Sequence, residues 1–159
     1  MQHYVDNKQF YAALVEYRDK QKVAKKEKKE APRIPEYIGV CLYQIATRLS
    51  TKPNFINYTY RDEMISDGIE NCINYLDNFD PDKSSNPFAY FTQIIYYAFL
   101  RRIQKEKKQL YIKHKSLENH VLESTLSGDT EAIVGLDIDN EYMVEFAKNF
   151  ENNLKKKKQ

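Results

Sequence analysis

A chain of 159 residues, 42% hydrophobic, with 25 Lys plus Arg against 23 Asp plus Glu, can build one modest core and carry charged extensions. Four glycines, five prolines and little Val/Thr alternation exclude a β-rich fold and predict an all-α protein. No apolar run approaches bilayer length, the N-terminus has no hydrophobic signal core, and Cys41 and Cys72 sit apart at apolar periodic positions. A soluble, cytosolic protein with buried thiols and no disulfide is therefore expected.

Phe10, Ala13, Leu14 and Tyr17 recur at helical spacing and predict a first helix. That pattern dissolves into a Lys/Glu-rich run from Asp19 to Glu30, read as a charged linker or solvated extension ending at Pro32 and Pro35. From Tyr37 to Leu49, the positions Ile38, Leu42, Ile45, Ala46 and Leu49 predict a second, core helix stopped by Pro53 and Asn54. A third helix is predicted from Arg61 to Phe79, with Met64, Ile65, Ile69, Cys72, Ile73, Leu76 and Phe79 along one side. After a turn from Asp80 to Asn86, Pro87 suits the first position of a fourth helix reaching Lys115, with Asn86 as its cap. Beyond Glu118 the periodicity weakens, and Gly128 and Gly135 predict irregular or mobile chain to Asp137. A last amphipathic segment, Tyr142, Met143, Phe146, Phe150 and Leu154, precedes the Lys155 to Lys158 run. The expected division is a helical domain over 1–118 and a mobile linker with a C-terminal segment over 119–159.

The small net charge of +2 conceals two reversals along the third and fourth helices. Asp62, Glu63, Asp67, Glu70, Asp77, Asp80 and Asp82 occur with no intervening Lys or Arg. Ser84 to Leu100 carries no charge but holds Phe88, Tyr90, Phe91, Tyr96, Tyr97 and Phe99, and Arg101 to Lys115 is then strongly basic. Unpaired bases need π-faces and phosphates need cations, so an acidic face followed by an aromatic and a basic one suggests a surface for a protein partner and for nucleic acid. An apolar-aromatic helix is more often core, and Phe88, Ile95, Ala98, Phe99 and Ile103 are assigned there. The aromatic surplus exceeds what one buried stripe holds, so some rings must reach the surface.

His114 and His120 lack Cys partners at zinc spacing and are read as surface residues. Asp77, Asp80 and Asp82 resemble a calcium loop only superficially, since no turn Gly and no closing Glu follow. No nucleophilic triad or phosphate-binding Gly loop occurs, so neither an enzyme nor a metal or cofactor site is expected.

The order Met64-Ile65-Ser66-Asp67-Gly68-Ile69, Leu76-Asp77-Asn78-Phe79-Asp80, Asn86-Pro87-Phe88-Ala89-Tyr90-Phe91-Thr92-Gln93 and Phe99-Leu100-Arg101-Arg102-Ile103 resembles region 2 of bacterial sigma factors. With Tyr4-Val5-Asp6-Asn7-Lys8, Ile38-Gly39, Ile45-Ala46, Leu49-Ser50 and Gln104-Lys105-Glu106-Lys107-Lys108, it is most similar to the late-transcription sigma factors of T-even-type bacteriophages. The resemblance covers roughly the first two-thirds of the chain; the remainder matches only in general character.

That resemblance implies a compact helical region 2-like domain that docks on the beta-prime coiled coil of the host RNA polymerase core. It also implies that the chain holds the melted non-template strand of a TATA-rich −10-like promoter element, in the cytoplasm of an infected bacterium. Carried over by position, Glu63, Ser66, Asp67, Ile69 and Ile73 become the core-binding residues. Helical spacing puts Tyr90, Gln93, Tyr97, Arg101 and Lys108 on one face, with Phe91, Ile94 and Arg102 beside it and Lys105 in the same basic run. The family's base-capturing aromatic maps to Phe91 or to Tyr90. Ile94 and Ile95 replace two tryptophans that help open the duplex in primary sigma factors, which implies weak melting and reliance on a coactivator. In the family a C-terminal epitope binds the replication sliding clamp; here Tyr142, Met143, Phe146 and Phe150 either do this or pack back on the protein. The rival from another class is a polymerase-binding regulator that never reads DNA, and a third reading is a general single-strand-binding protein.

Overall fold

Asp6 opens the first helix: its carboxylate accepts from the amides of Lys8 (3.0 Å) and Gln9 (3.2 Å), two of the donors that a helix start leaves unpaired. In the computed structural model, which describes residues 4–128 and 141–158, α1 spans Asn7–Lys26, α2 Glu36–Ser50, α3 Arg61–Asn74, α4 Pro87–Ser127 and α5 Glu141–Lys157. A 3-10 turn occupies Leu76–Asn78. The regular elements are all helical among the described residues, as the composition predicts. The chain divides into two compact units, 1–102 and 103–159, and α4 contributes to each. The division expected at residue 118 falls inside that helix.

Three boundaries differ from expectation. The Lys/Glu-rich run is not a linker as far as Lys26 but the second half of α1. Lys and Glu are good helix formers, Lys20 pairs with Glu16 one turn back at 3.1 Å, and Lys25 and Lys26 suit the negative end of the helix dipole. The apolar face ended there, but the helix did not. The third helix stops at Asn74 rather than Phe79, because Asn78 donates to the Tyr75 carbonyl (3.1 Å) and tightens the chain into the 3-10 turn. That geometry sends Leu76 and Phe79, three residues apart, into the core together. Finally, α4 continues past Glu118 to Ser127 and ends where Gly128 adopts a positive φ of 77°, a helix stop that glycine adopts without strain. The rest of the expected irregular stretch, 129–140, lies outside the described residues.

The core of the first unit draws Phe10 and Leu14 from α1, Ile38, Leu42 and Ile45 from α2, Met64 and Cys72 from α3, and Phe91, Ile95 and Phe99 from α4. Both cysteines are buried and free, and burial pushes the Cys72 thiol up to about 12, which keeps it protonated and unreactive. Gly68 sets how closely α3 approaches α4. A Cβ at that position would lie 3.0 Å from Ile95 Cγ2 and 3.2 Å from Phe99 Cε1, both on fully buried side chains. Gly68→Ala should change stability little, since about 1 kcal/mol of helix propensity opposes the crowding. Gly68→Val should lower it by about 1–3 kcal/mol in urea denaturation, because the branched side chain overpacks a filled space. A Val variant as stable as the parent would refute this close packing.

The start of α4 is held by α1. Asn86 Oδ1 caps the Ala89 amide (3.1 Å) and accepts from Asn7 Nδ2 (3.0 Å), while Asn7 Oδ1 accepts from the Phe88 amide (3.2 Å). Tyr11 donates to the Pro81 carbonyl (3.0 Å), Arg18 lies 3.5 Å from Asp80 and 3.4 Å from Asp82, and Gln21 donates to Asp77 (2.9 Å). The three aspartates of the superficial metal loop are thus engaged by α1.

In the second unit, α5 packs through Phe150 on Tyr111 (ring centroids 4.8 Å) and through a buried Ala147. Tyr111 donates to Glu151 Oε1 (2.6 Å), and Lys115 lies 3.2 Å from the same oxygen. These two donors hold the Glu151 carboxyl below its usual value, Tyr111 first and Lys115 second. His114, expected at the surface, is 3% exposed instead. Its Nε2 lies 3.0 Å from Glu118 Oε1, near enough for an ion pair with the protonated ring but without hydrogen-bond alignment. The helix face that carries Tyr111, His114 and Lys115 is an interior face of this unit, a pattern that the Lys-rich sequence obscures.

Candidate protein-docking and nucleic-acid faces

The carboxylates of α3 alternate with apolar positions, so the helix turns Met64, Gly68 and Cys72 inward and leaves a mixed acidic and apolar outer face. Glu63, Ser66 and Glu70 are exposed and Ile69 is half-buried. Ile73 is 45% exposed, a large apolar side chain left in water. Ile69 and Ile73 line one wall of an open groove of about 410 Å³, and Ile34, Val40 and Tyr43 form much of the rest, with Glu36 at the rim. Four of the five residues expected to bind polymerase, Glu63, Ser66, Ile69 and Ile73, therefore present polar or apolar surface outward.

Asp67, the fifth, is committed elsewhere. Its carboxylate takes a two-pronged ion pair from Arg102, with Nε at 2.5 Å and Nη2 at 2.8 Å. Sequence reasoning assigned these two residues to two different partners, and the fold binds them to one another. The fork geometry is the strong form of this interaction, and both side chains are largely withdrawn from solvent. Arg101 also reaches back to α3, donating to Asn71 Oδ1 (3.0 Å), but it remains exposed.

On α4, Phe91 is corrected from a base-contact candidate to a core residue. Its ring is 0% exposed, packed against Phe10 (5.6 Å), Phe79 (5.8 Å) and the edge of Tyr90 (5.0 Å), so no face is open to a base. Tyr90 leans on Phe79 (5.3 Å) and is half-buried, and burial raises its hydroxyl pKa. Gln93 and Arg101 are exposed, Ile94 is half-buried, and Tyr97 is 50% exposed. Tyr90, Gln93, Tyr97 and Arg101 follow one face of the helix, as their spacing predicts. Past Arg102, α4 carries Lys105 and Lys108, both exposed. Of the residues assigned to the core, Ile95, Ala98, Phe99 and Ile103 are buried, whereas Phe88 is half-buried with Tyr4 edge-on at 5.8 Å.

Sequence reasoning counted Tyr96 in the aromatic run but gave no role to it, to Tyr58 or to Tyr60. Tyr96 is 37% exposed beside Tyr97 (5.7 Å) and meets Phe55 edge-on (5.7 Å). Tyr58 and Tyr60, on the segment joining α2 to α3, stack on each other at 5.2 Å. For Tyr58 and Tyr60 the available signal was the absence of any Asp or Glu between Tyr37 and Arg61.

For the C-terminal segment, the fold favours packing over an open epitope: Phe146 and Phe150 are half-buried in a stack with Tyr111, and Met143 is half-buried. Tyr142 is 70% exposed. No protein-family model and no curated protein matches the chain. Among the described residues no helix is long and apolar enough to cross a membrane.

Proposed function

We infer that the chain is a phage-type sigma factor: a specificity subunit that joins the host RNA polymerase core and directs it to late promoters. In this reading the α2–α3 groove and the carboxylates of α3 receive the basic beta-prime coiled coil, and the charged rim speeds encounter while Ile69 and Ile73 supply apolar contact. The exposed face of α4, Tyr90, Gln93, Tyr97 and Arg101, holds the melted strand of a TATA-rich −10-like element, and Lys105 and Lys108 contact phosphates. The chain performs no catalysis and works in the cytoplasm of the infected host. A coactivator and a sliding clamp belong to the same reading, the clamp through α5.

The observation that carries the reading is Tyr97, half in water on a helix whose Phe91 and Phe99 are fully buried, with Gln93 and Arg101 one turn to either side. The regulator that binds polymerase but not DNA is favoured by one specific feature, the use of Arg102 to neutralise Asp67 rather than to face outward.

Permanganate footprinting and run-off transcription with reconstituted holoenzyme on an A/T-rich late promoter, with and without clamp, separate the two. Tyr90→Ala with Tyr97→Ala should lower open-complex formation about tenfold or more and leave core binding intact, since a lost base–aromatic stack is worth roughly 1–3 kcal/mol. Unchanged melting would support the regulator.

A further inference from the structure

Two stretches of this sequence lack carboxylates: 37–61, which carries Arg48, Lys52 and Arg61, and 83–105, which carries Lys83, Arg101, Arg102 and Lys105. They are far apart in the chain, and beside the core that they share one ring ties their surfaces together. Phe55, 2% exposed, sits edge-on to Phe99 (5.2 Å) and to Tyr96 (5.7 Å) and so anchors the α2–α3 segment against α4. Arg61 closes the same segment by donating from Nε to Ser50 Oγ (2.9 Å). On this anchored segment Tyr58 and Tyr60 lie ring on ring, 29° from parallel, and both remain partly exposed.

We propose that Tyr58, Tyr60 and Tyr96 form a second base-stacking platform for single-stranded DNA, reached from the Tyr97 face through the contact between Tyr96 and Tyr97. The proposal rests on the sigma-factor reading of α4 and extends it to residues which that reading does not use. Tyr58 and Tyr60 are both partly exposed, and a base can continue a tyrosine stack without sequence-specific hydrogen bonds. The surroundings select the occupant: Lys52 is exposed and no acidic side chain lies within residues 37–61, so a phosphate-bearing strand meets cations along the segment. A basic protein partner would find its complement instead on the carboxylates of α3.

The test uses single-stranded dT oligonucleotides carrying one 2-aminopurine at successive positions, with the full chain alone and assembled on host polymerase core. Stacking quenches the probe, whereas phosphate contact alone does not. The parent should quench at two separate positions. Tyr58→Ala with Tyr60→Ala should abolish quenching at one of them and weaken binding about tenfold, with the salt dependence unchanged. Tyr58→Phe with Tyr60→Phe, which keeps the rings, should behave as the parent. Tyr96→Ser, a change at a more exposed ring, should weaken the same position and guards against misfolding of the double variant. If the alanine pair and Tyr96→Ser both retain two quenched positions while Tyr90→Ala with Tyr97→Ala loses one, the second platform is wrong and the sigma-factor reading stands. If the parent quenches nowhere in either format, both fall.

Discussion

Phe91→Ala should lower folding stability by about 3–5 kcal/mol, the usual loss when a fully buried phenylalanine is truncated in a packed core. The ring is 0% exposed and shares contacts with Phe10 of α1, Phe79 of the α3–α4 connection and Tyr90 of its own helix, so a single truncation loosens three elements. Typical domains have only about 5–15 kcal/mol in total, so the variant should show a sharply lower urea midpoint or fail to accumulate folded. Tyr90→Ala should have a smaller effect, since that side chain is only half-buried. The comparison bears on function as well, because a loss of promoter melting in Phe91→Ala would follow from unfolding. Equal stability of Phe91→Ala and the parent would return Phe91 to the list of base contacts.

The second large effect is expected at the groove. Glu63→Lys, Glu70→Lys and Ile73→Asp combined should reduce retention on immobilised polymerase core by tenfold or more, with only a small shift of the melting curve. All three side chains are exposed, and the one structural cost, Glu63→Lys in the first turn of α3, is about 0.3–1 kcal/mol. Two reversed charges on α3 slow encounter with a basic partner, and a carboxylate in place of Ile73 removes an apolar anchor of the groove. Asp67 is left intact on purpose: substituting it strands the Arg102 guanidinium and confounds binding with stability. Full retention by the triple variant would move the docking surface away from α3.

Helix periodicity made the apolar faces of α2 and α3 legible, because Ile38, Leu42, Ile45, Met64 and Cys72 each recur at helical spacing and each is buried. It failed where a helix continues without an apolar stripe. Residues 19–26 and 119–127 are helical through propensity, caps and packing that a search for hydrophobic faces overlooks. At the candidate site, spacing put Tyr90, Gln93, Tyr97, Arg101 and Lys108 on one helix face, and all five lie on α4. It could not reveal that Phe91, one residue from Tyr90, turns fully inward, since in a helix that is aromatic all round a shift of 100° separates core from surface. Nor could it pair Asp67 with Arg102, or bring Phe55 to Tyr96, because those contacts depend on how α3 and the α2–α3 segment meet α4.

The cross-bonding of Asn7 and Asn86 bears on how the first unit assembles. Most contacts in a helical protein are local and form quickly, but this pair is separated by 79 positions. Bringing such distant residues together carries a loop-closure term of about 4 kcal/mol, taken as (3/2)RT ln n with its constant set aside. The Phe10–Phe91 contact, the Tyr11–Pro81 bond and the Arg18 contacts with Asp80 and Asp82 all share that one closure, so each becomes favourable only once the others have formed. The first turn of α1 and the first turn of the aromatic helix therefore order or fray as a unit. Removing the chain through Asn7 would strip the Phe88 amide of its acceptor and leave Asn86 to cap α4 alone.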